Sequence, residues 1–375
     1  MKIGIDTFGC DHARSGLGSY LYYFVSNLPT DSEISFELFG SEMDRYTYTS
    51  GKDISYTSVN VPDSLQAERF WHYLKINKFI KKNNYDVTLF PAIENVFPTK
   101  TKGKSVAIVN SILSNFLAKT DKFTQFQLKR GLNNVNKIVA ASNFIKNDLI
   151  LNGISASKIQ VIYNGIDHKM FFPAIDLNPD VVEIKPFAIK RPYFIYGSRL
   201  SGPEKKHIEL IQAFTLFKKK SNYPHRLVIC GSDGPYSTEI QKAVLESEFS
   251  SDIFVTGYFP HETFPKLYAG ATACVFPSVN EGVGLPILES MACGIPVLCS
   301  TSGALPEIGG DVPLYFDSNN VDQIAAQMQK IVDDKELYSC VSIYSKDFEY
   351  EFDEGTTAET FCKGEGTAFG GYTID

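Results

Sequence analysis

Several features that would define other protein classes are missing from this chain. No run of apolar residues approaches the ~18 that a membrane-spanning helix needs. The seven cysteines (positions 10, 230, 274, 293, 299, 340 and 362) show no C-x-x-C spacing, so neither a zinc site nor a dithiol motif is indicated. Several sit in apolar runs such as Ala273–Phe276, the usual setting of buried free thiols in a reducing compartment. There is no D-x-D triplet to hold a diphosphate through a divalent ion, so no metal and no separate cofactor are implied. No Ser-His-Asp or Cys-His constellation suggests covalent acyl chemistry. No zinc-finger spacing or aromatic strand motif suggests nucleic acid as a partner. The stretch after Met1-Lys2 is too short and too quickly interrupted for a signal peptide, so the expected location is the cytoplasm.

What is present is an ordinary globular composition, 43% hydrophobic and 21% charged, over 375 residues. That length suits two domains. Strand-like apolar runs alternate with amphipathic helical runs, which predicts an α/β fold with parallel sheets. In the first half, strands are expected near Lys2–Asp6, Ser35–Phe39, Val87–Phe90, Ser105–Val109, Lys137–Ala140 and Lys158–Ile162. Four prolines between Phe172 and Pro192 predict an irregular linker, after which the pattern restarts at Tyr193. The expected division is a first domain over 1–172, a linker over 173–192, a second domain over 193–345, a last helix over 346–362 crossing back to the first domain, and a Gly-rich tail over 363–375.

Charge is unevenly placed. From Arg69 to Lys146 there are 14 Lys or Arg against three acids (Asp86, Glu94, Asp121), a surplus of 11 in a chain whose net charge is −7. Such a block is either a solvated face or a surface for an anionic partner, an anionic membrane being the main candidate.

The most informative segment runs Phe276-Pro-Ser-Val-Asn-Glu281-Gly282-Val283-Gly284-Leu285-Pro286-Ile-Leu-Glu289-Ser-Met-Ala-Cys-Gly294-Ile-Pro296-Val297. It reads as strand, Gly-rich turn, helix, turn and strand. Pro286 suits the start of a helix and Gly294 its C′ position. Gly282 and Gly284 let backbone N–H groups approach an anion at a helix N-terminus, where the dipole also favours negative charge.

This string resembles the E-x7-E signature of glycosyltransferase family 4. The resemblance implies a GT-B fold, two Rossmann-like doubly wound domains facing across a cleft, and a reaction that retains anomeric configuration. It implies that Glu281 contacts the donor sugar, that Gly282, Val283, Gly284 and Leu285 touch sugar and phosphates, and that Glu289 holds the nucleotide ribose. Gly197-Ser198-Arg199-Leu200 followed by Lys206 and Ala213-Phe214 is similar to the family's diphosphate-binding block. Arg199 and Lys206 are the expected catalytic cations, with Lys205 competing for the second role. A leaving nucleoside diphosphate needs such charges in a water-poor site. Gly257 and Tyr258 resemble the base-pocket loop, and Gly16 and Gly18 the glycine loop after the first strand. Arg69 and Trp71 resemble an N-lobe helix of the family, with core packing the expected role of the Trp.

Two departures stand out. Val283 replaces the common Phe, and Val109-Asn110 stands where the family often carries His-Asp after an N-lobe strand. Because the family His reaches toward the sugar, Val109 and Asn110 join the candidate substrate-binding residues. An apolar Val109 would suit a donor lacking a 6-hydroxyl, whereas Asn110 would supply a polar contact instead. The expected function is a metal-independent hexosyl or deoxyhexosyl transfer from a nucleotide-sugar donor to a glycan or lipid-linked acceptor, in surface polysaccharide synthesis, at the inner membrane face. Two other classes stay open: a nucleotide-sugar-binding subunit with little catalytic power, and a dinucleotide oxidoreductase, although the G-x-G-x-x-G fingerprint is absent.

Overall fold

The computed structural model describes residues 1–13, 16–29, 33–50, 53–173, 180–185 and 187–348. The chain divides into two compact units at Gly165/Ile166, somewhat ahead of the proline cluster that marked the expected boundary.

The first unit carries a seven-stranded, all-parallel sheet. Its strands are β1 (Lys2–Asp6), β2 (Ser35–Gly40), β3 (Ser55–Ser58), β4 (Val87–Phe90), β5 (Lys104–Val109), β6 (Lys137–Ala140) and β7 (Ile159–Val161). The spatial order is β3-β2-β1-β4-β5-β6-β7. Helices α1 (Gly16–Ser26), α2 (Asp44–Thr49), α3 (Leu65–Leu74), α4 (Ile76–Asn83), α5 (Leu113–Ala118), α6 (Lys122–Asn134) and α7 (Asn143–Leu151) connect them. β3 and α2 are not evident in the sequence: Ser55-Tyr-Thr-Ser58 has no apolar run, and its residues are only partly buried at the sheet edge. α3 and α4 meet at Lys75, whose backbone (φ −114°) ends the first and starts the second. Trp71 packs in the core against Phe8 and Phe79, with ring centroids 5.4 and 5.3 Å away.

The second unit begins with an antiparallel hairpin, β8 (Val181–Ile184) and β9 (Phe187–Lys190). This corrects the expectation of an irregular linker over 173–192. Val182, Ile184 and Ile189 alternate inward and are buried, and that period-two pattern outweighs the flanking prolines. Residues 174–179 and Pro186 lie outside the described residues. A six-stranded parallel sheet follows: β10 (Tyr193–Gly197), β11 (Arg226–Cys230), β12 (Ile253–Gly257), β13 (Ala273–Phe276), β14 (Val297–Ser300) and β15 (Leu314–Phe316). Its order is β12-β11-β10-β13-β14-β15. The central strands are apolar end to end because helices cover both faces. Those helices are α8 (His207–Ser221), α9 (Ser237–Glu246), α10 (Phe264–Gly270), α11 (Leu285–Ala292), α12 (Leu305–Gly309), α13 (Val321–Asp333) and α14 (Lys335–Phe348). The helix expected over 346–362 falls outside the described residues beyond Phe348.

Both sheets reverse their order once, between β1 and β4 in the first unit and between β10 and β13 in the second. Open α/β sheets bind ligands beyond the strand C-termini at such reversals. Among the described residues, no helix is long and apolar enough to cross a membrane.

Candidate active site

In the second unit the reversal is flanked by the C-terminal ends of β10 and β13. The chain leaves β10 through Ser198, Arg199 and Leu200, and leaves β13 through Pro277 to Gly284. The two segments resembling the family's phosphate and sugar loops, some 80 residues apart in sequence, are thus brought side by side by strand order alone.

Hydrogen bonds lock these loops together. Val279 N–H donates to Glu204 O at 3.0 Å, and Tyr196 Oη donates to Lys205 O at 2.8 Å. The Lys205 ammonium meets Glu281 Oε1 at 2.5 Å. Lys206 turns the other way, to Glu209 Oε1 at 2.7 Å on its own helix. It sits in the left-handed region (φ +57°), which points two consecutive lysines in different directions. The geometry therefore brings Lys205 to the sugar-loop carboxylate and leaves Lys206 beside α8. Arg199 is exposed at the end of β10 and forms no ion pair among the described residues.

The Glu281 backbone is fixed as well. Ala304 N–H donates to Glu281 O at 2.8 Å. Gly303 adopts φ +67°, and a Cβ there would lie 2.4 Å from Glu281 O, so only glycine fits. Gly284, at φ +74°, caps α11 without any side-chain bond to the helix N-terminus. Leu285 and Pro286 then open the helix; Pro286 has no N–H and Ile287 N–H donates to Gly284 O at 3.1 Å, so this end offers an anion the Leu285 N–H and the positive end of the dipole. Gly282 and Val283 lie in the turn before it.

Glu289 sits one turn into α11 and is 7% exposed. His261 Nε2 lies 2.9 Å from its Oε1, and Tyr268 Oη donates to its Oε2 at 3.4 Å. Both partners belong to the segment after β12, next to Gly257 (φ +76°) and to Tyr258, which is 70% exposed. His261 is a residue that sequence reasoning missed; its position in a loop with no flanking motif gave no signal. Beneath the Lys205 loop, His207 is fully buried against Tyr196, and burial pushes its imidazole down to about 4, so it is neutral.

In the first unit the loop after β1 is held by side chains from two other elements, α2 and α3. Asp44 accepts from Thr7 Oγ1 at 3.0 Å and contacts His12 Nδ1 at 2.6 Å. Glu68 Oε2 accepts from Gly9 N–H at 3.2 Å, and His72 Nε2 meets Asp6 Oδ2 at 2.7 Å. Tyr48 Oη donates to Cys10 O and accepts from Ala13 N–H. Residues 11–13 all have positive φ, a strained backbone for non-glycine residues. Gly18 packs so closely under this loop that a Cβ would lie 2.2 Å from Cys10 O, whereas Gly16 faces open space. Ser15, next to Gly16, lies outside the described residues. None of Asp6, Asp44, Glu68 and His72 was marked by any motif.

At the end of β5, Val109 is 1% exposed and packs inside the unit. Asn110 accepts from Asn164 Nδ2 through its Oδ1 at 3.3 Å, while its own buried Nδ2 has no partner among the described residues.

Comparison with known proteins gives these features a family. Residues 15–169 match the model described as Glycosyltransferase Family 4, and residues 180–348 match that of glycosyl transferases group 1. The chain belongs to glycosyltransferase family 4. One similar relative is O-antigen chain mannosyltransferase B of Escherichia coli, 40% identical over 133 residues, which is 35% of this chain and 35% of that protein. The chain thus matches about a third of that relative's length. Among solved structures, sucrose-phosphate synthase from Thermosynechococcus elongatus aligns over 97% of this chain and 98% of its own, with TM-score 0.74 and 18% identity. Anabaena HepE in complex with UDP-glucose aligns over 97% and 99%, with TM-score 0.75 and 16% identity. These family 4 matches establish the GT-B class of the fold.

Proposed function

We propose that this family 4 protein transfers a hexosyl group, with retention of anomeric configuration, from a nucleotide-sugar donor to a glycan or lipid-linked acceptor in surface polysaccharide assembly. The observation that carries this reading is the Lys205–Glu281 pair beside the uncapped N-terminus of α11. A departing nucleoside diphosphate develops charge, and an ammonium, the exposed Arg199 and the dipole-positive start of α11 with its Leu285 N–H are suited to stabilise it. Glu289, aimed by His261 and Tyr268, has the acceptor oxygens that a ribose diol requires.

The chemistry balances without a protein base. The bond from the anomeric carbon to the phosphate oxygen breaks, the bond to the acceptor oxygen forms on the same face, and the acceptor proton passes to the leaving phosphate. The positive groups hold the diphosphate through this step, and no divalent ion is required by it. The mannosyltransferase relative makes nucleotide-activated mannose the first donor to test, and the basic block between Arg69 and Lys146 supports a reading in which the work is done at an anionic membrane face.

The test is a donor screen with mass-spectrometric detection of product, the anomeric configuration read by NMR, and a chelator control. A product with the donor's configuration and a rate unchanged by chelator is expected. Donor binding without transfer to any glycan or lipid-linked acceptor would favour the nucleotide-sugar-binding subunit instead.

A further inference from the structure

Two helices of the first unit expose large apolar side chains where a soluble surface would carry polar ones. On α3, Phe70, Tyr73 and Leu74 follow i, i+3, i+4 spacing and are 64, 58 and 55% exposed. On α6, Phe123 and Phe126 are 67 and 60% exposed. The two helices are neighbours: Tyr73 lines the same cleft as Thr124 and Gln127. Scattered exposed hydrophobics need no explanation, but a cluster rimmed by charge marks an interaction surface.

The rim is basic. Lys122 precedes the phenylalanines along α6 and Lys129 and Arg130 follow them, and Lys78, Lys81 and Lys82 are exposed on α4. The segment with Lys100 and Lys102 joins α4 to the C-terminal end of α6, since Asn77 on α4 donates to Lys100 O and Asn134 on α6 donates to Thr99 O. Three acids stand against the 14 basic residues from Arg69 to Lys146. Asp121 is engaged as the α6 N-cap, Asp86 accepts from Lys2 N–H, and Glu94 is half-buried.

Resting on the membrane-face reading above, we infer that the α3–α6 face is a membrane-docking surface, with Phe70, Tyr73, Phe123 and Phe126 seated at the headgroup level of an anionic bilayer and Lys122, Lys129 and Arg130 of α6 on lipid phosphates. Charge complementarity selects this occupant, because basic side chains bind an anionic leaflet and aromatic rings settle at its interface. A neutral glycan would make no use of the lysines. The placement also serves the chemistry. In a parallel sheet the helix after a strand starts at the strand's C-terminal edge. Phe123 and Phe126, in the first turns of α6, therefore lie at the edge of the unit that carries Asn110 and the loop after β1. A lipid-anchored acceptor reaches that edge from the bilayer beside it.

Vesicle sedimentation of the full chain tests the inference, with anionic or neutral phospholipid at low and high salt. Four proteins are compared: wild type, Phe123→Ser/Phe126→Ser, Lys122→Glu/Lys129→Glu, and the control Leu151→Ser, which removes an exposed leucine 86% accessible at the end of α7. Circular dichroism establishes that each is folded. Wild type should favour anionic vesicles by on the order of tenfold or more at low salt, and the charge reversal should abolish that preference. The phenylalanine variant should lose the binding that survives high salt, and the control should bind like wild type. Equal binding of wild type to both vesicles, or equal loss in the control, would overturn the inference. Should the phenylalanine variant not fold, Phe70→Ser takes its place with the same expected outcome. Transfer to a water-soluble acceptor is measured in parallel. Transfer without vesicle preference sinks only the docking face, and vesicle preference without transfer sinks only the transferase reading.

Discussion

Lys205 Nζ lies 2.5 Å from Glu281 Oε1 and joins the turn before α8 to the turn before α11. The two side chains are only 21 and 15% exposed. A poorly solvated ion pair adds little to stability, because desolvation offsets its attraction. Its location at the sheet reversal, next to an uncapped helix N-terminus, fits the proposed role as a preformed charge for a ligand. Binding of an anion would give the ammonium a second partner and leave the carboxylate for sugar hydroxyls.

Neighbouring lysines should therefore differ sharply in function. Lys205→Ala is expected to lower kcat/KM by on the order of 100-fold, the usual cost of one lost charge-stabilising contact. Lys206→Ala removes an i,i+3 helix pair worth only ~0.5 kcal/mol and should leave kcat/KM within about threefold of wild type. Steady-state kinetics of the two variants, with Arg199→Ala as the positive comparison, decides the matter. The reverse ranking would return the role to Lys206.

Glu289 and His261 should act on nucleotide affinity rather than on the chemical step. A ribose diol makes the same hydrogen bonds in ground state and transition state, so losing their acceptor looks like uniform binding. Glu289→Ala should weaken nucleoside-diphosphate binding by about 1.5–3 kcal/mol. His261→Ala should weaken it less, since Tyr268 still orients the carboxylate. Calorimetry reads both; unchanged affinity in Glu289→Ala would reduce that residue to a structural part of α11.

Much of this site was legible because it is written in local signals. The turn glycines, Pro286 and the apolar run of β13 announce strand, anion turn and helix within 22 residues of sequence, Phe276–Val297. The choice between Lys205 and Lys206 was not legible, because it depends on a left-handed backbone at a non-glycine residue. The hairpin β8–β9 was hidden by its prolines. The carboxylate network around the first loop was hidden for another reason: Asp6, Asp44 and Glu68 come from three separate elements, and only the strand order assembles them. Tertiary contacts of this kind have no sequence period.

That network gives the fold a pH signature. Burial, with Asp6 nearby, pushes Glu68 up to about 7 from an ordinary 4.5. Between those values the folded chain holds a proton that the unfolded chain has released. Its contribution is full below about pH 4.5 and is lost as pH rises through 7. Glu94, also raised to about 7 by burial, acts in the same direction. The buried His207 and His225, both lowered to about 4, act oppositely, with stability lost as pH falls. Comparison with Glu68→Gln isolates one group: wild type should lose stability relative to the variant as pH rises from 5 to 7.5. Parallel urea midpoints across that range would show that Glu68 does not titrate there.

The departure at Val109-Asn110 leads to a prediction about the donor. Val109 is buried inside the first unit and does not present an open apolar wall. Asn110, by contrast, has its carbonyl oxygen occupied by Asn164 and a buried amide Nδ2 with no partner among the described residues. An unpaired buried donor costs about 1–3 kcal/mol, a penalty that a ligand oxygen can remove. The resemblance implies that this strand end reaches toward the donor sugar, so the geometry favours a hydroxyl over a methyl there. A site that bonds a hydroxyl rejects the analogue lacking it, because its own polar group stays unpaired. The 6-hydroxylated nucleotide sugar should then outperform its 6-deoxy counterpart by roughly 10-fold or more in kcat/KM, a factor of ten being ~1.4 kcal/mol. Asn110→Leu should erase the difference by lowering the rate with the hydroxylated donor alone. Val109→Ala should affect stability more than donor choice, since it deletes buried methyl groups. Paired kinetics with the two donors on the three proteins reads the effect directly. A wild-type preference for the 6-deoxy donor would instead mean that the amide points away from the sugar and that apolar contacts dominate this end of the site.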